Sequence, residues 1–156
     1  MRETSIDGRP MHHSIVYLST PTFTPEQAAS TVRAIVGEAR ERNATFGITG
    51  TLIATEHHFA QVIEGRREAI DPLMANILRD PRHSDVTILR HETIAPRRFT
   101  GWSLAYQGRS AYFESFIRVL ASASEPQPRD VARLVDLMVR LAAPHPRQPS
   151  RNLGSA

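Results

Sequence analysis

The chain has 156 residues, 40% of them hydrophobic and 22% charged, and contains no cysteine. That is one domain's worth of core, and it excludes a disulfide framework, a thiolate metal site and a cysteine nucleophile. Lysine plus arginine number 19 against 16 acidic residues, but the basic residues fall in short pairs such as Arg66-Arg67 and Arg97-Arg98 beside acidic neighbours. This is the pattern of a solvated surface, so no nucleic-acid partner is expected. No apolar run approaches the roughly 18 residues of a membrane span, and no apolar segment follows Arg2 and Glu3 to make a secretory leader. A cytoplasmic protein without a membrane partner is expected.

Residues 1–13 are polar, carry Gly8 and Pro10 and lack periodicity, as a disordered N-terminal arm would. Ser14 to Ser19 (SIVYLS) predicts a strand, with Ile15, Tyr17 and Ser19 on one face and Val16 and Leu18 on the other. Apolar residues on both faces mark a central strand. Thr24-Pro25-Glu26-Gln27 is a helix start: Thr24 can cap, Pro25 suits the first turn and Gln27 completes a capping box. The apolar stripe Ala28, Val32, Ile35, Val36 and Ala39 then runs at helical spacing and lands, one turn on, at Asn43. Gly47 releases the chain into two apolar runs, Ile48–Thr55 and His58–Glu64, joined by a polar turn at Glu56-His57, which predicts a hairpin. In the second run Phe59, Gln61 and Ile63 share a face opposite Ala60, Val62 and Glu64.

After Gly65 a second helix is predicted to about Arg79 from Ile70, Leu73, Met74, Ile77 and Leu78, with Pro72 acceptable only if the helix begins just before it. Asp80-Pro81 ends it. Asp85 to His91 alternates as a strand, and Trp102 to Tyr106 as another, with Trp102, Leu104 and Tyr106 on one face. Strand, helix, strand, strand, helix, strand, strand is an α+β, ferredoxin-like βαββαββ core with a five-stranded mixed sheet, expected over residues 14–107. Phe113, Phe116, Ile117 and Leu120 mark one further helix, and Val131, Leu134, Val135, Met138 and Leu141 another. This pair, residues 108–143, is expected to cover the sheet face that the first two helices leave open. Residues 144–156 read as a flexible tail.

Three hydrogen-bonding side chains sit on apolar faces: Tyr17, Asn43 and Gln61. Leaving a buried carboxamide unpaired costs on the order of 1–3 kcal/mol, so the three must satisfy one another or a ligand with matched donors and acceptors. The adjacent pairs His12-His13 and His57-His58 lie in the predicted arm and turn without the spacing of a metal site, and no metal is expected. No glycine-rich phosphate loop or Ser-His-Asp arrangement appears, so hydrolytic chemistry has no support and an acylphosphatase-like enzyme is set aside.

The strings IVYLS, NATFGITGTLI, FAQVIEG, DPRHSDVTIL and RRFTGWSLAY, in this order and spacing from Ser14 to Tyr106, resemble the BLUF family of flavin-using blue-light sensors. The resemblance implies a flavin between the two core helices, FAD by family habit, with FMN and riboflavin open. It implies that Tyr17 is the electron and proton donor, that Gln61 links Tyr17 to flavin N5 and O4, and that Asn43 partners O4 and N3. Ile35 and Ile77 would sandwich the ring, and Arg42 would reach the other ring carbonyl. Ser19 joins the cofactor set, as do Arg82 and His83 toward the ribityl phosphate, for which a surface turn is the alternative. Trp102 would relay the signal, with plain core as its alternative.

Where the family often has methionine this chain has Leu104, which puts a direct contact of that position with the glutamine in doubt. The implied function is photoreception, not enzymatic turnover. Output is expected through a downstream protein partner or a change in homo-oligomeric assembly, since about two helices remain after the core. The rival is a flavin-free ferredoxin-like module that acts by binding or oligomerising.

Overall fold

The computed structural model describes Gly8 and residues 11–143. Residues 144–156, expected as a tail, and all of the expected arm except Gly8 and residues 11–13 lie outside the described residues. The chain runs β1 (His12–Pro21), a 3-10 turn (Pro25–Gln27), α1 (Ala28–Thr45), β2 (Thr49–Ala54), β3 (Phe59–Gly65), α2 (Arg67–Arg79), β4 (His83–Ile94), β5 (Trp102–Gln107), α3 (Ala111–Ser122) and α4 (Pro128–Ala142). The sheet order is β4-β1-β3-β2-β5. The first four strands have the ferredoxin-like order, antiparallel throughout, and β5 adds an edge strand parallel to β2.

Strand β1 begins two residues before the expected Ser14, so His12 and His13 belong to the sheet, where His12 lies opposite Ile94. Its centre is buried on both sides because two layers of helix cover the sheet. On one face Ile15, Tyr17, Ile48 and Ile63 pack under Ile70, Leu73, Met74 and Ile77 of α2. Beside them Leu52, Ala54 and Phe59 pack under Val32 and Val36 of α1. On the other face Val16, Leu18, Ile53, Ala60 and Val62 meet Ile117 and Leu120 of α3 and Leu134, Val135 and Met138 of α4. Alternation along β3 therefore divides two cores, with Gln61 between the α1 and α2 sides of one of them.

Helix α2 departs from expectation. It starts at Arg67, and Pro72 stands inside it rather than at its head. A proline there cannot donate to the carbonyl four residues back, a cost of about 3 kcal/mol. Burial of Ile70, Leu73, Met74 and Ile77, at roughly 1.5–3 kcal/mol each, outweighs it. Strand β4 is also longer than the expected Asp85–His91. Asp85 takes a φ of 53° where the pairing with β1 slips between Leu18 and Thr20, a bulge that bends this edge. A third departure lies in β5, where the register with β2 shifts between Leu52 and Ile53. The extra residue turns Tyr106 onto the α3 side, against Phe113, while Trp102 and Leu104 stay on the α1 side. Tyr106 thus does not share their face.

Gly50 allows the close approach of β2 to β3. At φ 146° a Cβ there would lie 1.9 Å from the Val62 carbonyl oxygen, a contact no side chain tolerates. The β2–β3 turn is held from outside by α3. Glu114 accepts hydrogen bonds from Thr55 Oγ1 at 2.6 Å and the His57 amide at 2.7 Å, and its other oxygen lies 2.9 Å from His58 Nδ1. Burial pushes the Glu114 carboxyl up, but the bonds from Thr55, His58 and the His57 amide outweigh it and hold the group below its ordinary range. His58, read as a solvated turn residue, is instead half-buried against this carboxylate.

Candidate functional site

Between α1 and α2, above the middle of β1 and β3, lies a narrow, solvent-open cleft with about 60 Å³ of space accessible to a water-sized sphere. Tyr17, Leu52, Phe59 and Gln61 line it from the sheet. Ile35 lines it from α1 and Ile77 from α2, so the two isoleucines expected to flank a flat ring do stand on the two helices. Arg42, Arg82, His83 and Trp102 also line it.

Gln61 is 8% exposed, and both ends of its amide are engaged. Nε2 donates to the Tyr17 hydroxyl, and Oε1 accepts from Trp102 Nε1 at 3.0 Å. The first contact follows from the register, since Tyr17 and Gln61 lie directly opposite each other on antiparallel strands. The second arises because β5 runs beside β2 with Trp102 on the cleft face. The half-buried indole also packs against the α1 core cluster, so it both bonds Gln61 and fills core space. Leu104 packs against the α1 cluster, and no hydrogen bond links it to Gln61. Burial pushes the Tyr17 phenol far above its ordinary range, against smaller opposite pulls from the Gln61 hydrogen bond and the Arg42 charge. The phenol is protonated at any physiological pH and buried in a mainly apolar site.

Asn43 is fully buried at the end of the α1 stripe. It does not line the cleft but borders a neighbouring depression, along with Gly47, Arg97, Gly101 and Trp102. Both its Nδ2 and its Oδ1 lack a partner, and so does the buried Nε of Arg42. Buried polar groups without a protein partner are satisfied by water or by a ligand. A carboxamide offering an N–H₂ donor group and a carbonyl acceptor, with a guanidinium beside it, matches a heteroaromatic edge of carbonyls and ring N–H. The residues present fit a flavin.

The remaining expected residues are placed otherwise. Ser19 is buried and does not line the cleft; its hydroxyl lies 2.7 Å from His83 Nδ1, and His83 Nε2 lies 2.6 Å from the Ile77 carbonyl oxygen. His83 is thus pinned between β1 and α2 with its ring against Tyr17 and Phe59, which is not a surface turn. Arg82 gives its guanidinium to Asp80, at 2.7 Å, and to Glu38 of α1, at 2.9 Å, so here it meets carboxylates. Asp80 was legible only as a helix stop and Glu38 drew no reading, yet both line the cleft. The alternation of charged residues on α1 gives no signal that would have separated Glu38 from its neighbours.

The sheet order and its helices make an α+β domain, and the family model "Sensors of blue-light using FAD" matches residues 12–105. The chain belongs to the BLUF family. It is 39% identical over 72 residues to the photoactivated adenylate cyclase subunit beta of Euglena gracilis, covering 46% of this chain and 8% of that protein's length. Among solved structures it is similar to the BLUF protein BlrB in its dark state, with a TM-score of 0.68 and 32% identity over 83% of this chain and 96% of that one. It is also similar to Klebsiella pneumoniae BlrP1, solved with FMN and cyclic diGMP, with a TM-score of 0.56 and 28% identity over 83% of this chain and 34% of that one. No helix among the described residues is long and apolar enough to cross a membrane.

Proposed function

We propose that this chain is a blue-light photoreceptor whose switch is the Gln61 carboxamide held between Tyr17 and Trp102. The observation that carries the reading is that one buried amide donates to a buried phenol and accepts from a half-buried indole. A bound flavin, FAD by family description with FMN in one relative, supplies the blue absorption and the oxidising partner. Asn43 and Arg42 would hold its polar edge, Ile35 and Ile77 its faces. His83, steadied by Ser19, and Arg82 would stand on the phosphate side.

Tyr17 gives up an electron and its phenolic proton, and both return within the cycle, so no substrate is consumed. Gln61 rotates or tautomerises in between. Rotation alone would turn an N–H of the amide toward the Trp102 N–H, donor against donor, and the indole would lose its acceptor. The amide is therefore bistable, and each arrangement dictates a different place for Trp102. Trp102 passes the change to a protein partner or to the assembly state.

Protein purified from ordinary cells is expected to be yellow and to release one flavin per chain on denaturation, identified by chromatography as FAD, FMN or riboflavin. Colourless protein from flavin-supplemented cells would favour a module that works by association alone.

A further inference from the structure

Trp102 follows directly on the loop between β4 and β5, and one buried carboxylate grips that loop. Glu64 is fully buried at the end of β3, on the sheet face opposite Gln61. Its Oε1 accepts the amide N–H of Arg98 at 3.1 Å and of Phe99 at 3.1 Å, and its Oε2 lies 3.2 Å from the Arg98 amide. Thr49 Oγ1 reaches Oε1 at 3.4 Å. Two further ties hold the same loop: Arg97 donates to the Gly47 carbonyl oxygen at 2.7 Å, and the Gly50 amide donates to the Gly101 carbonyl oxygen at 3.0 Å. Strand β3 thus holds Trp102 twice, through Gln61 at the indole and through Glu64 at the backbone leading into it.

We infer that Glu64 is a positioning residue that sets the reach of Trp102 onto Gln61 by anchoring residues 98 and 99, an inference whose light-dependent half rests on the function proposed above. A buried carboxylate is costly, and its retention at full burial needs the backbone donors it accepts. Remove them from each other and the loop keeps the Phe99 side chain in the core but loses the polar grip that fixes its backbone. The indole then still sits near the cleft with a wider range of positions.

Trp102 is the chain's one tryptophan, so emission excited beyond the tyrosine absorption band and read short of the flavin emission band, from the full-length protein in the dark, reports this indole alone. Glu64→Gln keeps the size and one acceptor oxygen, and Glu64→Ala removes both. Emission is expected to move to longer wavelength and acrylamide quenching to rise about twofold in Glu64→Gln, as one charge-assisted grip is replaced by a neutral one, and further in Glu64→Ala. If Glu64→Ala fails to fold, Glu64→Gln still decides. Unchanged emission in a folded Glu64→Gln protein, with only a lower unfolding midpoint, would make Glu64 a stability residue and overturn the inference.

In illuminated protein Glu64→Gln is expected to slow dark recovery about tenfold, the factor that one hydrogen bond to a charged group carries, and to add nothing in a Trp102→Phe background. Equal slowing with and without Trp102 would also overturn it. A wild-type protein that does not respond to light would defeat the photoreceptor reading, while the emission measurement would still decide whether Glu64 positions the indole.

Discussion

Replacing Gln61 with leucine is expected to abolish the light-induced red shift of the bound flavin while leaving the protein folded and yellow. Leucine has nearly the volume of glutamine, and it would face Leu52, opposite on β2, and Phe59 and Ile77 in the cleft, so packing is preserved. What disappears is the amide. The Tyr17 hydroxyl loses the donor that reaches it, and Trp102 Nε1 loses the acceptor at 3.0 Å. Two polar groups left without partners cost roughly 1–3 kcal/mol each when fully dry, less any gain from burying leucine in place of an amide, so a modest fall in the unfolding midpoint is expected. The spectral effect is total because no other side chain in the cleft bonds to both the phenol and the indole. A Gln61→Leu protein that still shifts reversibly would remove Gln61 from the role assigned to it.

Tyr17→Phe is expected to keep flavin bound and to lose the photocycle. The ring is buried against Ile15, Ile63 and α2, and phenylalanine fills that space with no change of shape. The hydroxyl is the only group deleted, and it leaves Gln61 Nε2 without its acceptor, a change of about 1 kcal/mol in stability. The chemical loss is larger. Phenylalanine has no acidic proton and is far harder to oxidise, so the cycle has no donor at this position. Light-minus-dark absorption of this variant should be flat on the timescale on which wild-type protein responds. A normal difference spectrum would mean that another residue, with Trp102 the nearest redox-active candidate, takes the part given to Tyr17.

The central residues were legible in the sequence because they break a pattern. Period two along β3 put Gln61 with Phe59 and Ile63, and period 3.6 along α1 carried an apolar stripe onto Asn43; both readings describe what the chain does. What the sequence did not show depends on contacts between distant segments. The bulge that turns Tyr106 away from Trp102 is set by how β5 registers on β2, and no residue in WSLAYQ marks it. Pro72 inside α2 broke a sound local rule because burial on one helix face exceeded the cost of one missing bond. Glu64 was placed only by its strand face and Glu114 drew no reading, and each is buried because backbone donors from another element converge on it. Trp102 could be placed on the cleft face, but its bond to Gln61 required the parallel pairing of an edge strand that nothing local announces. Asn43 was legible as a polar end to an apolar stripe, and its unpaired amide is a fact only coordinates supply.

The measurement that bears most directly on the switch is the absorption spectrum of the purified wild-type chain, taken in the dark, after blue illumination and again after return to darkness. A small red shift of the flavin bands that reverses fully in the dark is expected, since an amide changing its hydrogen bonds perturbs the chromophore without consuming it. Bound flavin whose spectrum does not move under blue light, or moves only by irreversible bleaching, would contradict the proposal that Gln61 is a light-driven switch.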